Sequence, residues 1–187
     1  MDIIDCKDLF GKILIATPRK SNDDIFTKSI IYVLSHGQSG SIGVIVNHYI
    51  TEFPKQLIPN QELINIPENM PIYFGGPIGL NNRLFLHSSD YNKNISIKFN
   101  DKVWVNMDNS LLDDIELGCG PEHCIFIMGY TQWGPGQLEM EIQNNMWIVA
   151  NDKQNIVFSH HINDKWEIAL KRVGIEQSSF VTNAAYC

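Results

Sequence analysis

The sequence has few basic residues and no long apolar run. Of its 187 residues, 14 are Lys or Arg and 21 are Asp or Glu, which gives a formal net charge of −7. A surface that neutralises several phosphates of a nucleic-acid duplex needs clustered Lys and Arg, so direct nucleic-acid binding is disfavoured. The densest basic group (Lys165, Lys171 and Arg172) is interpreted as a solvated helix face. No apolar run approaches the roughly 18 residues of a transmembrane helix, so no membrane partner is expected.

Neither a secretion signal nor a disulfide framework is expected from the sequence. Residues 1–5 have neither the basic start nor the long apolar stretch of a signal peptide, which predicts a cytoplasmic location. Four cysteines in a long chain of this kind do not indicate a disulfide scaffold, and we expect reduced thiols. The composition is otherwise that of a globular protein, with 44% hydrophobic residues. Residues 1–187 are predicted to form a single domain.

Hydrophobic patterning predicts an α+β fold without repeats or linkers. Strands are predicted at residues 12–16, 29–34, 42–46, 72–74, 84–87, 95–99, 103–107, 124–128 and 155–158. Short helices are predicted after Thr51, at Ser110, after the Gly/Pro-rich segment 129–136 and from Asp164. Loop composition predicts two hairpins, one joining 29–34 to 42–46 and the other joining 95–99 to 103–107. Strand 84–87 is expected to pair antiparallel with strand 72–74.

The most informative segment runs from Gly129 to Trp147, where an apolar strand ends in a Gly/Pro-rich turn and an amphipathic helix begins. Together with four other segments in the same order, it resembles the YqgE/AlgH family of small bacterial proteins. The five segments are residues 11–18, 26–47, 73–87, 129–147 and 165–175. Two departures are His48-Tyr49, where the family has a basic residue and Pro, and Thr131-Gln132, where it has Ala-Gly.

The resemblance implies a mixed, largely antiparallel, bifurcated sheet that curls into a pseudo-barrel with helices packed outside. Members of the family are often labelled transcriptional regulators, through a genetic association with alginate production in one lineage. The family has no established reaction, so the resemblance supplies no catalytic residues and no cofactor.

Several polar and glycine residues at predicted strand ends are candidates for a ligand site. His36 and His87 match family positions, and they could line a small pocket or instead satisfy buried backbone carbonyls. Gln137 and Glu141 are four apart and share a helical face, whereas Glu139 and Glu141 point about 200° apart. The full candidate set is His36, Asn47, Gly75, Gly76, His87, Tyr130, Trp133, Gln137 and Glu141. The hypothesis requires the glycine-bearing bends at 75–77 and 129–136 to be neighbours.

Other chemistries fit the sequence less well. The Gly75-Gly76-Pro77 segment lacks the spacing of a phosphate-binding loop, and the loop at 37–40 misses the G-x-S-x-G pattern by one residue. Cys119 and Cys124, with Glu122 and His123 between them, make at most part of a zinc site. We therefore expect neither a metal nor a cofactor.

These observations favour a non-catalytic cytoplasmic module that binds a small ligand or a protein partner and acts in regulation. The alternative is a small hydrolase or thiol-dependent enzyme that uses His36 or His87. That alternative requires a Ser or Cys within hydrogen-bond reach of one of the two rings.

Overall fold

The computed structural model describes residues 8–18, 25–50, 70–93, 96–151, 156–159 and 164–175. The predicted helix after Thr51, the pair His160-His161, and Cys6 and Cys187 lie outside these ranges. The strands are β1 (Lys12–Ala16), β2 (Ile30–Gly37), β3 (Gly40–Ile45), β4 (Ile72–Phe74), β5 (Ile78–Ser88), β6 (Ile97–Lys98), β7 (Val103–Asn106), β8 (Cys124–Trp133) and β9 (Trp147–Asn151). The helices are α1 (Ser110–Glu116), α2 (Gln137–Gln143) and α3 (Lys165–Arg172).

The chain divides into two compact units, and residues 1–47 with 132–187 form the first. Its strands pair antiparallel in the order β3-β2-β1-β9. Along β1 and the first half of β2, residues on both faces of the strand are buried, so these segments are apolar without alternation. The predicted first hairpin is confirmed, with Gln38-Ser39 as its turn and Gly37 opposite Gly40.

The predicted helix from Asp164 is confirmed as α3, with Asp164 directly before its first residue. Gly174 lies beyond its end at a φ of 77°, a conformation that suits glycine. Trp166, Ala169 and Leu170 are buried. The interpretation of Lys165 as part of a solvated face was wrong, because this side chain is fully buried. Its ammonium group donates to the carbonyl oxygens of Val46 and Val157, each at 3.0 Å, which compensates for the loss of water.

The second unit, residues 48–131, contains strands in the order β6-β7-β5-β8. The expected pairing of 72–74 with 84–87 was wrong, since β4 runs parallel to β8 and β5 lies antiparallel on β7 and β8. The second predicted hairpin is confirmed, with Ile97 opposite Val105.

The helices and strands together confirm the α+β class and a largely antiparallel sheet. Among the described strands, β4 and β8 form the parallel pair and the other named pairings are antiparallel. The prediction of a strand at 155–158 was wrong for its described part, since none of residues 156–158 is in a strand, residues 157–158 form a turn, and the last described strand is β9. None of the described helices combines the length and apolar character needed to cross a membrane.

Candidate functional site

A polar cluster in the first unit joins the β2–β3 hairpin to helix α2. His36 and Ser41 are opposite each other in the register, and Ser41 Oγ lies 2.8 Å from His36 Nδ1. The other ring nitrogen, Nε2, lies 3.7 Å from a carboxylate oxygen of Glu139 in the first turn of α2. The His36 side chain is almost fully buried, whereas that of Glu139 is 30% exposed. Glu139 therefore connects a buried imidazole with solvent.

Glu141, two residues after Glu139 in α2, is the centre of a second set of polar contacts. One of its carboxylate oxygens accepts hydrogen bonds from the indole nitrogens of Trp133, at 3.1 Å, and Trp147, at 2.6 Å. The other accepts from Gln137 Nε2 at 3.0 Å, and Gln137 Oε1 in turn accepts from the backbone N–H of Gly134. A carboxylate with these donors has little capacity left for a ligand, so Glu141 and Gln137 organise the turn.

Two glycines of the β2–β3 hairpin allow Trp133, at the end of β8, to approach the hairpin closely. A Cβ on Gly40, whose φ is +113°, would lie 2.2 Å from the carbonyl oxygen of Trp133. A Cβ on Gly43 would lie 2.6 Å from the Ile31 side chain and 3.4 Å from the Trp133 ring. Gly136 precedes α2 with a φ of 73°, a left-handed conformation that suits glycine. The sequence motif thus encodes a tight turn whose residues 134–137 remain exposed.

Asn47 ties the end of the hairpin to the turn before β2. Its side-chain oxygen accepts from the N–H of Ile30 at 2.7 Å, and its amide nitrogen donates to the carbonyl of Lys28 at 2.8 Å. Lys28 has a φ of 53°, so the asparagine stabilises an unusual backbone conformation. These contacts give Asn47 a structural role.

In the second unit, His87 lies in the interior. Its side chain has no solvent-exposed area, and its ring nitrogens contact Ser96 Oγ at 3.1 Å and the Ser88 carbonyl at 2.9 Å. Tyr91 and Trp104 lie against the ring at centroid distances of 5.4 and 6.4 Å. Desolvation by burial lowers the pKa of His87. The geometry favours the structural alternative, in which the His87 ring forms hydrogen bonds with polar groups in the interior and does not line a ligand pocket.

Gly75 and Gly76 lie against Gly129 and Tyr130 within the second unit. A Cβ on Gly75 would be 2.3 Å from the Gly129 carbonyl oxygen, and one on Gly76 would be 2.3 Å from that of Tyr130. Gly76 and Gly129 also have positive φ angles, of 149° and 75°. The double glycine therefore meets the start of the 129–136 bend through backbone contact, which leaves no space for a ligand between the contacting atoms.

The structure thus separates the candidate residues into groups. In the first unit, His36 joins Ser41 and Glu139, while Trp133, Gln137 and Glu141 form one hydrogen-bonded set beside it. In the second unit, Gly75, Gly76 and Tyr130 belong to one backbone crossing, and His87 belongs to a separate buried network. The proposal that all of them line one ligand site stays a prediction.

The two described cysteines offer no metal centre. Across the described part of the chain, no three His, Cys, Asp or Glu side chains come together to hold an ion. Cys119 is exposed and Cys124 is partly buried, and both are free thiols. Burial raises the pKa of Cys124 to about 12, so this thiol is a poor nucleophile.

Comparisons with known proteins agree with this architecture. The AlgH-like family (DUF179) matches residues 13–178. The chain belongs to the AlgH-like family. A UPF0301 protein of Rickettsia africae is 41% identical over 176 residues, covering 92% of this chain and 93% of the relative. A UPF0301 protein of Rickettsia canadensis is 40% identical with the same coverage.

Two solved structures share the fold of this AlgH-like chain. The AlgH protein of Pseudomonas aeruginosa aligns over 100% of both chains with a TM-score of 0.70 and 23% identity. Protein DIP2367 of Corynebacterium diphtheriae aligns over 87% of this chain and 85% of its own, with a TM-score of 0.68 and 22% identity. At these identities the likeness shows the fold alone, and it confirms the fold expected from the sequence motifs.

Sequence reasoning missed Ser41 and gave Glu139 only a structural role. A signal for Ser41 was available, because a two-residue turn at Gln38-Ser39 places residues 36 and 41 opposite each other in an antiparallel hairpin. No comparable signal existed for Glu139, whose contact with His36 depends on how α2 packs on the hairpin.

Proposed function

We propose that this AlgH-like chain is a non-catalytic cytoplasmic binding module with a regulatory role, and that it acts through the exposed turn before α2. The proposed binding surface, called the corner surface, consists of residues 134–137 with Glu139 and Met140. One observation carries the proposal: the Glu141 carboxylate accepts hydrogen bonds from Trp133, Gln137 and Trp147, and the first two of these residues lie at the two ends of the turn.

The Glu141 contacts give the exposed turn a fixed shape. Gln137 bonds to both Glu141 and the Gly134 N–H, so the turn is closed by side chain as well as backbone. Exposed loops held by a rigid scaffold are common places for recognition, because less conformational entropy is lost on binding. Met140, which is 59% exposed, adds apolar area to the same surface. These features support binding to a partner.

A site-specific photo-crosslinker tests this proposal. We would place p-benzoylphenylalanine at Met140 and, as a matched control, at Leu117, which is 76% exposed in the second unit. The expected result is a discrete protein or ligand adduct from position 140, identified by mass spectrometry, and none from position 117. The adduct should disappear in Glu141→Ala, whose turn loses its three contacts. Equal labelling at the two positions, or none at either, would refute the proposal.

A second candidate function, hydrolysis, is favoured by the contact between Ser41 and His36. The requirement stated from the sequence, a Ser within reach of a histidine, is met at 2.8 Å. In a catalytic reading, Ser41 Oγ gives its proton to His36 Nδ1 as it attacks a carbonyl carbon, and Glu139 stabilises the resulting imidazolium through Nε2. This candidate is second because Ser41 is only 3% exposed and lies in a regular strand.

A fluorophosphonate probe decides between the two candidates. A catalytic serine would label in the wild type and in Ser39→Ala, which alters the hairpin turn, but not in Ser41→Ala. The binding proposal instead predicts no labelling of any of the three proteins. Circular dichroism spectra should match across the set, so that lost labelling cannot be attributed to unfolding.

A further inference from the structure

We infer that His87 and Ser96 form an acid-sensitive switch, in which protonation of the His87 ring weakens the attachment of strand β6 to the sheet of the second unit. The inference is independent of the corner surface, which belongs to the first unit. It is carried by a chain of hydrogen bonds whose direction is fixed by backbone groups at both of its ends.

At the His87 end, a backbone carbonyl determines which ring nitrogen carries the proton. His87 Nδ1 lies 2.9 Å from the carbonyl oxygen of Ser88, and such an oxygen can only accept. Nδ1 is therefore protonated. In the neutral ring Nε2 is then an acceptor, and it lies 3.1 Å from Ser96 Oγ. The hydroxyl of Ser96 donates this hydrogen bond.

At the other end, the chain of hydrogen bonds starts from a backbone N–H. The N–H of Asp108 donates to Asn106 Oδ1 at 2.6 Å, so the amide nitrogen of Asn106 is left to face Ser96. Asn106 Nδ2 donates to Ser96 Oγ at 3.2 Å. Because Ser96 Oγ accepts from Asn106, its own proton is available for His87 Nε2. Every donor and acceptor of the chain is paired while the His87 ring is neutral.

A second proton on the His87 ring conflicts with this chain. The new proton on Nε2 would point at the hydroxyl proton of Ser96, so the hydroxyl must turn away and lose its acceptor. This part of the interior already has a surplus of donors. The ring of Trp104 lies against His87, and its indole N–H is buried without an acceptor in the described part of the chain. Burial also lowers the pKa of His87, so the protonated ring forms below the usual 6.5.

The elements packed around the ring supply few charges that could stabilise its protonated form. The titratable or charged side chains on these elements are Asp90, Tyr91, Lys98 and Cys124. Asp90 favours the protonated ring, but burial is the larger effect. Burial raises the pKa of both Tyr91 and Cys124, so these groups are neutral near pH 7. Lys98 is engaged in an ion pair with Asp101.

Ser96 connects the hydrogen-bond chain to β6, which begins at the next residue. β6 contains only two residues and pairs with β7, at the edge of the described sheet. The Ser96 side chain adds contacts to β5 through His87 and to β7 through Asn106. When the hydrogen bond to His87 is lost, β6 keeps its short pairing with β7 and should separate from the sheet more often. Separation exposes the backbone edge of β7.

Amide hydrogen exchange of the full chain tests the switch. Protection factors, which correct for the effect of pH on intrinsic exchange, are compared at about pH 7.5 and about pH 5. We expect protection within residues 96–100 to fall about fivefold at the lower pH, the change expected for one hydrogen bond. Protection in α3 of the first unit should stay the same. At the higher pH, ¹⁵N spectra of the His87 ring should show a protonated Nδ1 and an unprotonated Nε2.

Two substitutions at Ser96 distinguish the switch from a purely structural contact. Ser96→Ala removes the hydroxyl, so protection within residues 96–100 should be low at both pH values and lose its pH dependence. Ser96→Thr keeps a hydroxyl and should retain the dependence. His123→Gln is the matched control, because this histidine lies in the second unit and is more exposed than His87, and it should change nothing. Amide spectra report whether each variant is folded.

Each outcome decides for or against the inference. A pH dependence that Ser96→Thr retains and Ser96→Ala abolishes would support the switch. Equal protection of the wild type at the two pH values would overturn it. So would a pH dependence in Ser96→Ala as large as that of the wild type, or a His87 ring protonated at Nε2 at the higher pH.

Discussion

Replacing Glu141 should destabilise the first unit strongly, because three donors lose their acceptor at once. In Glu141→Ala the indole N–H groups of Trp133 and Trp147, both buried residues, are left without the carboxylate. A buried donor that loses its acceptor costs about 1–3 kcal/mol. Gln137 is exposed and can bond to water instead, so its loss adds little. The expected decrease in the free energy of unfolding is about 2–6 kcal/mol for the two indoles together.

Urea denaturation followed by tryptophan fluorescence and by circular dichroism measures this decrease. Glu139→Gln is the matched control. It removes a carboxylate from the same helix, but this carboxylate is partly exposed and lies 3.7 Å from His36 Nε2. It should change the free energy of unfolding by about 0.5 kcal/mol or less. A Glu141→Ala protein as stable as the control would show that the carboxylate does not hold the two indoles and does not keep the corner surface rigid.

Three further predictions concern buried groups. Lys165→Met should lower the free energy of unfolding by about 2 kcal/mol in chemical denaturation, because two carbonyls lose their donor, whereas Lys171→Met should change it little. For His87, burial lowers the pKa from its usual 6.5, so the unfolded chain binds more protons below that pH. Stability should therefore fall as the pH drops below about 6.5, and His87→Gln should flatten this slope in pH-dependent denaturation. Iodoacetamide at pH 8 should modify exposed Cys119 and spare Cys124, whose pKa is raised to about 12; equal modification in peptide mass mapping would contradict this.

Local signals in the sequence predicted most of the strands and all three described helices. The hairpin at 37–40 and the helix from Asp164 follow from turn residues and apolar spacing. Each of these features is decided within about ten residues of chain. The pairing of β4 was not predictable in this way, because its parallel partner β8 lies about fifty residues further along the chain.

Lys165 shows the limit of reasoning from helical periodicity. Its position before Trp166 and near Lys171 is compatible with a solvated face, and nothing nearby in the sequence indicates burial. The carbonyls that hold its ammonium belong to Val46 and Val157, and the first is 119 residues away. The burial of such a lysine depends on backbone carbonyl groups elsewhere in the first unit that need a hydrogen-bond donor. Only the folded chain shows which carbonyls these are.

The two family-matched histidines show why residue type alone could not define the site. Both histidines lie in strands and both contact a serine. By residue type and position in a strand, they are equally good candidates for a ligand site. Burial separates them: His87 is enclosed by aromatic rings, whereas His36 contacts Glu139, which reaches solvent. A ligand can act on His36 through Glu139 without opening the core, while reaching His87 would require breaking its buried hydrogen bonds. His36 and the corner surface are therefore better placed than His87 to meet a ligand or partner.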